Sequence, residues 1–115
     1  MLSHGAVLRS KFFSAEQVSS IARDFRTAGL PAAEVAMMEY ATRISTEAYK
    51  VTPREIEALR GHGYSDAEIV DIAAVAAARN FISRLVDALG VEPDIEHLAL
   101  DPQLKDALTV GRPLR

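Results

Sequence analysis

The sequence predicts an all-α protein, and three observations carry that reading. Hydroxyl-x-x-Glu/Gln capping boxes occur at Ser14–Gln17, Thr52–Glu55 and Ser65–Glu68, each just before a run of apolar residues at helical spacing. Gly29, Gly61, Gly63 and Gly90 stand where those runs stop, as glycine does after a helix C-terminus. Nowhere does strict apolar/polar alternation, the mark of a half-buried strand, persist long enough to compete. The expected architecture is five to six helices around one long central helix, in a single domain spanning residues 1–115.

The elements follow in order. His4 to Phe13 reads as a helix already under way, with Ala6, Val7, Leu8 and Phe12 apolar and no cap before Met1. Ser14 opens a second helix, in which Val18, Ile21, Ala22 and Phe25 fall at i, i+3, i+4 and i+7. Pro31 suits the first position of a third, whose apolar face is Met37, Tyr40, Ala41 and Ile44. That helix fades near Thr46, where small polar and β-branched residues gather. Thr52, followed by Pro53, opens a short fourth helix through Ile56 and Leu59. The long helix is expected from Asp66 to Leu89, roughly 36 Å at about 1.5 Å per residue. Its first two-thirds is apolar nearly all round, which predicts burial. Beyond Gly90, Pro93 bars continuation. Asp94 suits the cap of a turn over Ile95 to Leu98, and Asp101-Pro102 that of a last helix through Leu104, Ala107 and Leu108. Gly111 to Arg115 reads as a frayed tail.

Composition narrows the function. Of the 115 residues, 49% are hydrophobic and 25% charged, with a net charge of −3, the balance of a soluble globular domain. No basic block interleaved with aromatics argues for nucleic acid. Asp66, Glu68, Asp71, Arg79, Asn80, Arg84 and Asp87 interrupt the long helix too often for a membrane span. No signal peptide opens the chain, and the expected location is cytoplasmic. There is no cysteine, so this chain carries no disulfide, thiolate metal site or thiol chemistry of its own. His4, His62 and His97 are far apart and form no metal set. No cofactor or metal is expected, and no serine sits in a strand-turn-helix elbow. The Met37-Met38 pair reads as core filling more readily than as an adaptable binding surface.

One constellation stands out. Asn80, Arg84 and Asp87 are spaced i, i+4 and i+7 on a polar stripe roughly 60° wide. Toward the N-terminus the same stripe holds Ile69, Ala73, Ala76 and Ala77. Two readings stay open: a solvated stripe with Arg84 and Asp87 as an i, i+3 ion pair, or a buried polar network that fixes the register of a neighbouring helix or subunit.

Four runs, taken in order, resemble a known family: Glu34-Val-Ala-Met-Met-Glu-Tyr-Ala-Thr-Arg-Ile44, Val51 to Arg60, Gly63-Tyr-Ser-Asp-Ala-Glu-Ile69, and Asn80 to Glu92. Together they are similar to the carboxymuconolactone decarboxylase and alkylhydroperoxidase D-like superfamily, in its peroxidase-related branch. The resemblance implies an alkylhydroperoxidase D-like helical domain that self-associates as a homo-oligomer. It also implies a small peroxide substrate, reduced by a Cys-x-x-Cys dithiol. A thiolate with lowered pKa attacks the peroxide, the sulfenic acid condenses with the second thiol, and an upstream glutamate and a histidine relay protons. That histidine lies four residues after the second cysteine, and His4 occupies its place. The second cysteine would then fall one residue before Met1. The expectation is therefore the C-terminal part of the family domain, inactive by itself, through a late start codon or a true shortening. Two alternatives remain: a self-associating structural or ligand-binding module, and a non-redox enzyme of the lactone decarboxylase type using His4 and the polar residues of the long helix.

Overall fold

The structure is a computed structural model and describes residues 2–94 and 99–110. The expected turn over Ile95 to Leu98, His97 and the tail from Gly111 lie outside the described residues. Among the described residues six α-helices follow one another: α1 Leu2–Lys11, α2 Ala15–Asp24, α3 Ala32–Glu47, α4 Pro53–Gly61, α5 Asp66–Ala88 and α6 Pro102–Leu108. Short 3₁₀ turns follow α2 at Phe25–Thr27 and α3 at Ala48–Lys50. The described residues contain no strand.

The local signals are realised atom by atom. At α2, the Gln17 N–H donates to Ser14 Oγ at 3.2 Å and the Ser14 N–H donates to Gln17 Oε1 at 2.9 Å. The Ser65–Glu68 box closes in the same reciprocal way, at 3.1 and 2.7 Å. At α4 the Glu55 carboxylate takes both the Thr52 N–H, at 2.8 Å, and the Thr52 hydroxyl, at 3.2 Å. Asp101 Oδ1 accepts from the Gln103 and Leu104 N–H groups, capping α6. Each of these caps satisfies donors that a helix start would otherwise leave without a partner.

The C-termini of α4 and α5 end alike. Gly63 and Gly90 take φ of 96° and 68°. The Tyr64 N–H then reaches the Leu59 carbonyl and the Gly63 N–H the Arg60 carbonyl, while Val91 and Gly90 repeat the pattern on Val86 and Asp87. This paired closure is the Schellman arrangement, and it needs a left-handed residue that glycine adopts without steric cost.

Packing divides the chain into two compact units, residues 1–29 with 92–115, and residues 30–91. In the first, α2 packs on α6 and α1 packs on both. Val18, Leu104 and Leu108 form its buried core, with Leu8, Phe13, Ala15, Ala22 and Leu100 packed around them. Gly5 is buried against Leu108, and a Cβ there would stand 2.3 Å from Leu108 Cδ1. The periodicity of Val18, Ile21, Ala22 and Phe25 thus selects the right face of α2, with Val18 at its centre.

In the second unit α3 packs along α5, and α4 packs on both. Leu59 and Ile69 are its buried apolar residues. Here the expectation of a buried α5 is corrected. Ile69 is the buried residue of that helix, whereas Val70, Val75, Phe81, Ile82, Leu85 and Leu89 are exposed. The physical reason is that apolar residues all round a helix demand neighbours all round it, and within this unit α3 and α4 cover one side. Met37 and Met38 are half-buried. Pro31 also departs from expectation: it is the residue before α3, with extended ψ of 148°, and Ala32 takes the first helical position.

Polar ties hold the second unit in register. Arg43 on α3 donates to Glu47 at 2.8 Å and to Glu55 on α4 at 3.1 Å. The Tyr64 hydroxyl donates to the Ala33 carbonyl at 3.0 Å, fastening the α4–α5 turn to the start of α3. Arg60 bridges Glu57 and, at 2.7 Å, Asp66 at the start of α5.

Donation from the Thr52 N–H, reinforced by Arg43, holds the Glu55 carboxyl below its ordinary value against the opposing effect of desolvation. Its pKa is thus lower in the folded than in the unfolded chain. The resulting stabilisation is fully present above the ordinary glutamate value and is lost as pH falls through the lowered one. Replacing Glu55 by Gln should flatten this acid limb of a stability–pH profile measured by urea unfolding, leaving the profile near neutral pH shifted but parallel.

Candidate functional site

The polar stripe of α5 faces α3, and a residue of α3 joins it. Asn80 Nδ2 donates to Ser45 Oγ at 2.8 Å and to the Ala76 carbonyl at 2.9 Å. Ser45 Oγ in turn donates to the Ala41 carbonyl at 2.9 Å. The chain runs from Asn80 through Ser45 to the α3 backbone, the hydroxyl serving once as acceptor and once as donor. Arg84 donates from its guanidinium to the Ser45 carbonyl at 3.0 Å. That carbonyl lies in the last turn of α3, where regular N–H partners run out and a cation is favoured.

Small side chains make this approach possible. Ala73, Ala76 and Ala77 lie on the same stripe of α5, so the α3 backbone can come near enough for a serine to reach Asn80. Beside these bonds lies an open groove of about 620 Å³, lined by Ile44, Ala48, Ala77, Phe81 and Leu85, with Asn80 and Arg84 as its polar members.

The stripe is therefore neither wholly solvated nor wholly buried. Asn80 is half-buried and Arg84 is exposed. Asp87 is exposed and makes no side-chain hydrogen bond or ion pair among the described residues, so the i, i+3 pair with Arg84 is not formed. Arg84 instead turns to the Ser45 carbonyl. Sequence reasoning missed Ser45. Its signal was faint: one of several small polar residues near the end of α3, four residues after Ala41.

His4 belongs to the other unit. It sits on an exposed face of α1, next to the buried Gly5. His62 is exposed in the turn after α4. Among the described residues no group of three or more His, Asp or Glu is placed to hold a metal ion, and no helix is long and apolar enough to cross a membrane.

Chemically, Ser45, Asn80 and Arg84 offer hydrogen-bond donors and fixed positive charge. None of the three is a general base, and among the described residues no general base is hydrogen-bonded to Ser45 that would activate it as a nucleophile. The arrangement fits a device that fixes the register of α3 on α5. Replacing Asn80 by Leu should cost about 1–2 kcal/mol in urea unfolding, because the Ser45 hydroxyl loses a donor in a half-buried setting. Replacing Asp87 by Asn should leave the midpoint unchanged.

An all-α chain of capped helices gathered into two packing units defines the class, and a comparison of folds specifies it further. No family model matches the chain, and no curated protein matches it. Among solved structures it is similar to an alkylhydroperoxidase AhpD core, an uncharacterized peroxidase-related protein from Ralstonia eutropha JMP134, with a TM-score of 0.78 and 28% sequence identity. The match covers 86% of this chain and 52% of that one, so the chain spans about half the length of that protein. The fold of the chain is all-α and AhpD-like, a likeness that supports the alkylhydroperoxidase D-like superfamily.

Proposed function

We propose that these 115 residues are the scaffold part of a peroxidase-related helical domain whose reducing groups are supplied by sequence outside them. The observation that carries the reading is the pairing of an AhpD-like fold with a chain that has no cysteine. In the proposed reaction a thiolate attacks one oxygen of the peroxide and the O–O bond breaks, releasing an alcohol or water after protonation. The sulfenic acid formed condenses with the second thiol, giving a disulfide and water. A dithiol reductant then restores both thiols. In this reading His4 is the proton-relay position, and its partners are the glutamate and cysteines of the supplied segment. Asn80 and Arg84 hold the scaffold and do not touch the reacting atoms. Self-association as a homo-oligomer is part of the same proposal. It is supported by the large apolar residues that α5 leaves exposed, among them Val70, Val75, Phe81, Ile82 and Leu85.

The coding DNA directly upstream of Met1 tests this reading. It should continue in frame into a Glu and a Cys-x-x-Cys whose second cysteine directly precedes Met1. An in-frame stop with no cysteine codons before it would overturn the proposal, and would leave a cysteine-free binding module as the better description.

A further inference from the structure

We infer that the contact between Gly5 and Leu108 positions His4, so that α6 seats the helix carrying the proton-relay position. This rests on the reading of His4 proposed above and adds a pair of positioning residues to it. Neither of the pair would touch the reacting atoms. α1 has few means of holding its place. Val7 and Phe12 are 49% and 69% exposed, and Leu8 packs at the edge of the core cluster. Among the described residues of α1, Gly5 is the buried one. It directly follows His4, so the point at which α1 is pinned to α6 lies beside the relay position.

The approach is close. A Cβ on Gly5 would stand 2.3 Å from Leu108 Cδ1, 2.9 Å from Cδ2 and 3.2 Å from Cγ. Leu108 has little freedom to swing aside. It is 5% exposed and shares the core with Val18 and Leu104, where close packing leaves few other rotamers. Its backbone is held as well. Asp101 caps α6 through the Gln103 and Leu104 N–H groups, and the Thr109 N–H closes on the Lys105 carbonyl at 3.0 Å. A side chain at position 5 must therefore lift α1 off α6. Helix propensity alone would favour alanine here, since glycine weakens a helix interior. No left-handed backbone calls for glycine either, because Gly5 lies within α1 and positive φ is confined to Gly29, Gly63 and Gly90 among the described residues. The missing Cβ serves the approach to Leu108. A lifted α1 would change where His4 stands relative to the glutamate of the supplied segment, and a misplaced proton relay slows the chemical step.

Urea unfolding of the 115-residue chain tests the contact. Gly5→Ala should lower the folding equilibrium constant at least about 10-fold, as overpacking does, whereas alanine at an open helical site would raise it. Added to Leu108→Val, which removes both Cδ atoms, the same change should weaken the chain no further. Peroxide turnover by the protein extended through the upstream Glu and Cys-x-x-Cys tests the positioning, under conditions where far-UV circular dichroism shows every variant folded. Gly5→Ala should lower kcat at least about 10-fold with KM for peroxide within about twofold. Adding Leu108→Val, far away in sequence, should restore kcat to within about threefold. A Gly5→Ala chain as stable as the unaltered one would overturn the contact. Lost stability with unchanged kcat, or a kcat that Leu108→Val fails to restore, would overturn the positioning role alone. An extended protein inert before any substitution would overturn the reading of His4 and the positioning role with it, whatever the unfolding result.

Discussion

Replacing Leu104 by Ala is expected to destabilise the protein by about 3–4 kcal/mol, the largest effect of any single core truncation. Leu104 is 1% exposed and sits with Val18 and Leu108 at the centre of its unit. Leu8, Phe13, Ala15, Ala22 and Leu100 close the shell around this cluster. Three helices converge there, and Gly5 already brings α1 against Leu108. The site has little room to collapse, so most of the cavity should persist, and its cost adds to the lost transfer free energy. Hydrogen exchange should show α1, α2 and α6 losing protection together. Retained protection in α2 and α6 would mean that the cluster is not the core of that unit.

Leu59→Ala should be nearly as damaging, at about 2–3 kcal/mol, and its consequences should fall elsewhere. Leu59 and Ile69 are the buried apolar residues of the second unit, so removing one takes away much of what seats α4 on α3 and α5. Loss of exchange protection should begin in α4, while α1, α2 and α6 keep theirs. The ion pairs around Arg43 and Arg60 will not rescue it. The Arg43 pairs are only partly buried and the Arg60 pairs open to water, and pairs reached by solvent contribute little.

These two residues also show what the sequence makes legible and what it conceals. Leu59 and Leu104 are recognisable as inward-facing because each stands in a short helix with a readable cap. The capping boxes at Ser14, Thr52 and Ser65, and the glycines after α4 and α5, are decided by residues near in sequence, so local reasoning reaches them. Burial of α5 is not a local property. The string of apolar residues from Ile69 to Leu89 states that the helix must be covered, not by what, and one chain covers one side of it. The polar site was half legible for the same reason. Asn80 and Arg84 share a helix and a stripe, but their common partner Ser45 lies 35 and 39 residues away in sequence. Asp87 shares the stripe yet stays outside the network, because Arg84 finds the α3 carbonyl instead.

In the proposed division of labour this chain supplies the scaffold and another segment supplies the dithiol. Peroxide consumption tests it most directly, measured with a dithiol reductant for the 115-residue chain and for the protein extended through the upstream Glu and Cys-x-x-Cys. Turnover is expected from the extended protein, reduced by His4→Ala, and consumption by the short chain should be no faster than by the reductant alone. Peroxide turnover by the cysteine-free chain, or an extended protein as inert as the short one, would contradict it.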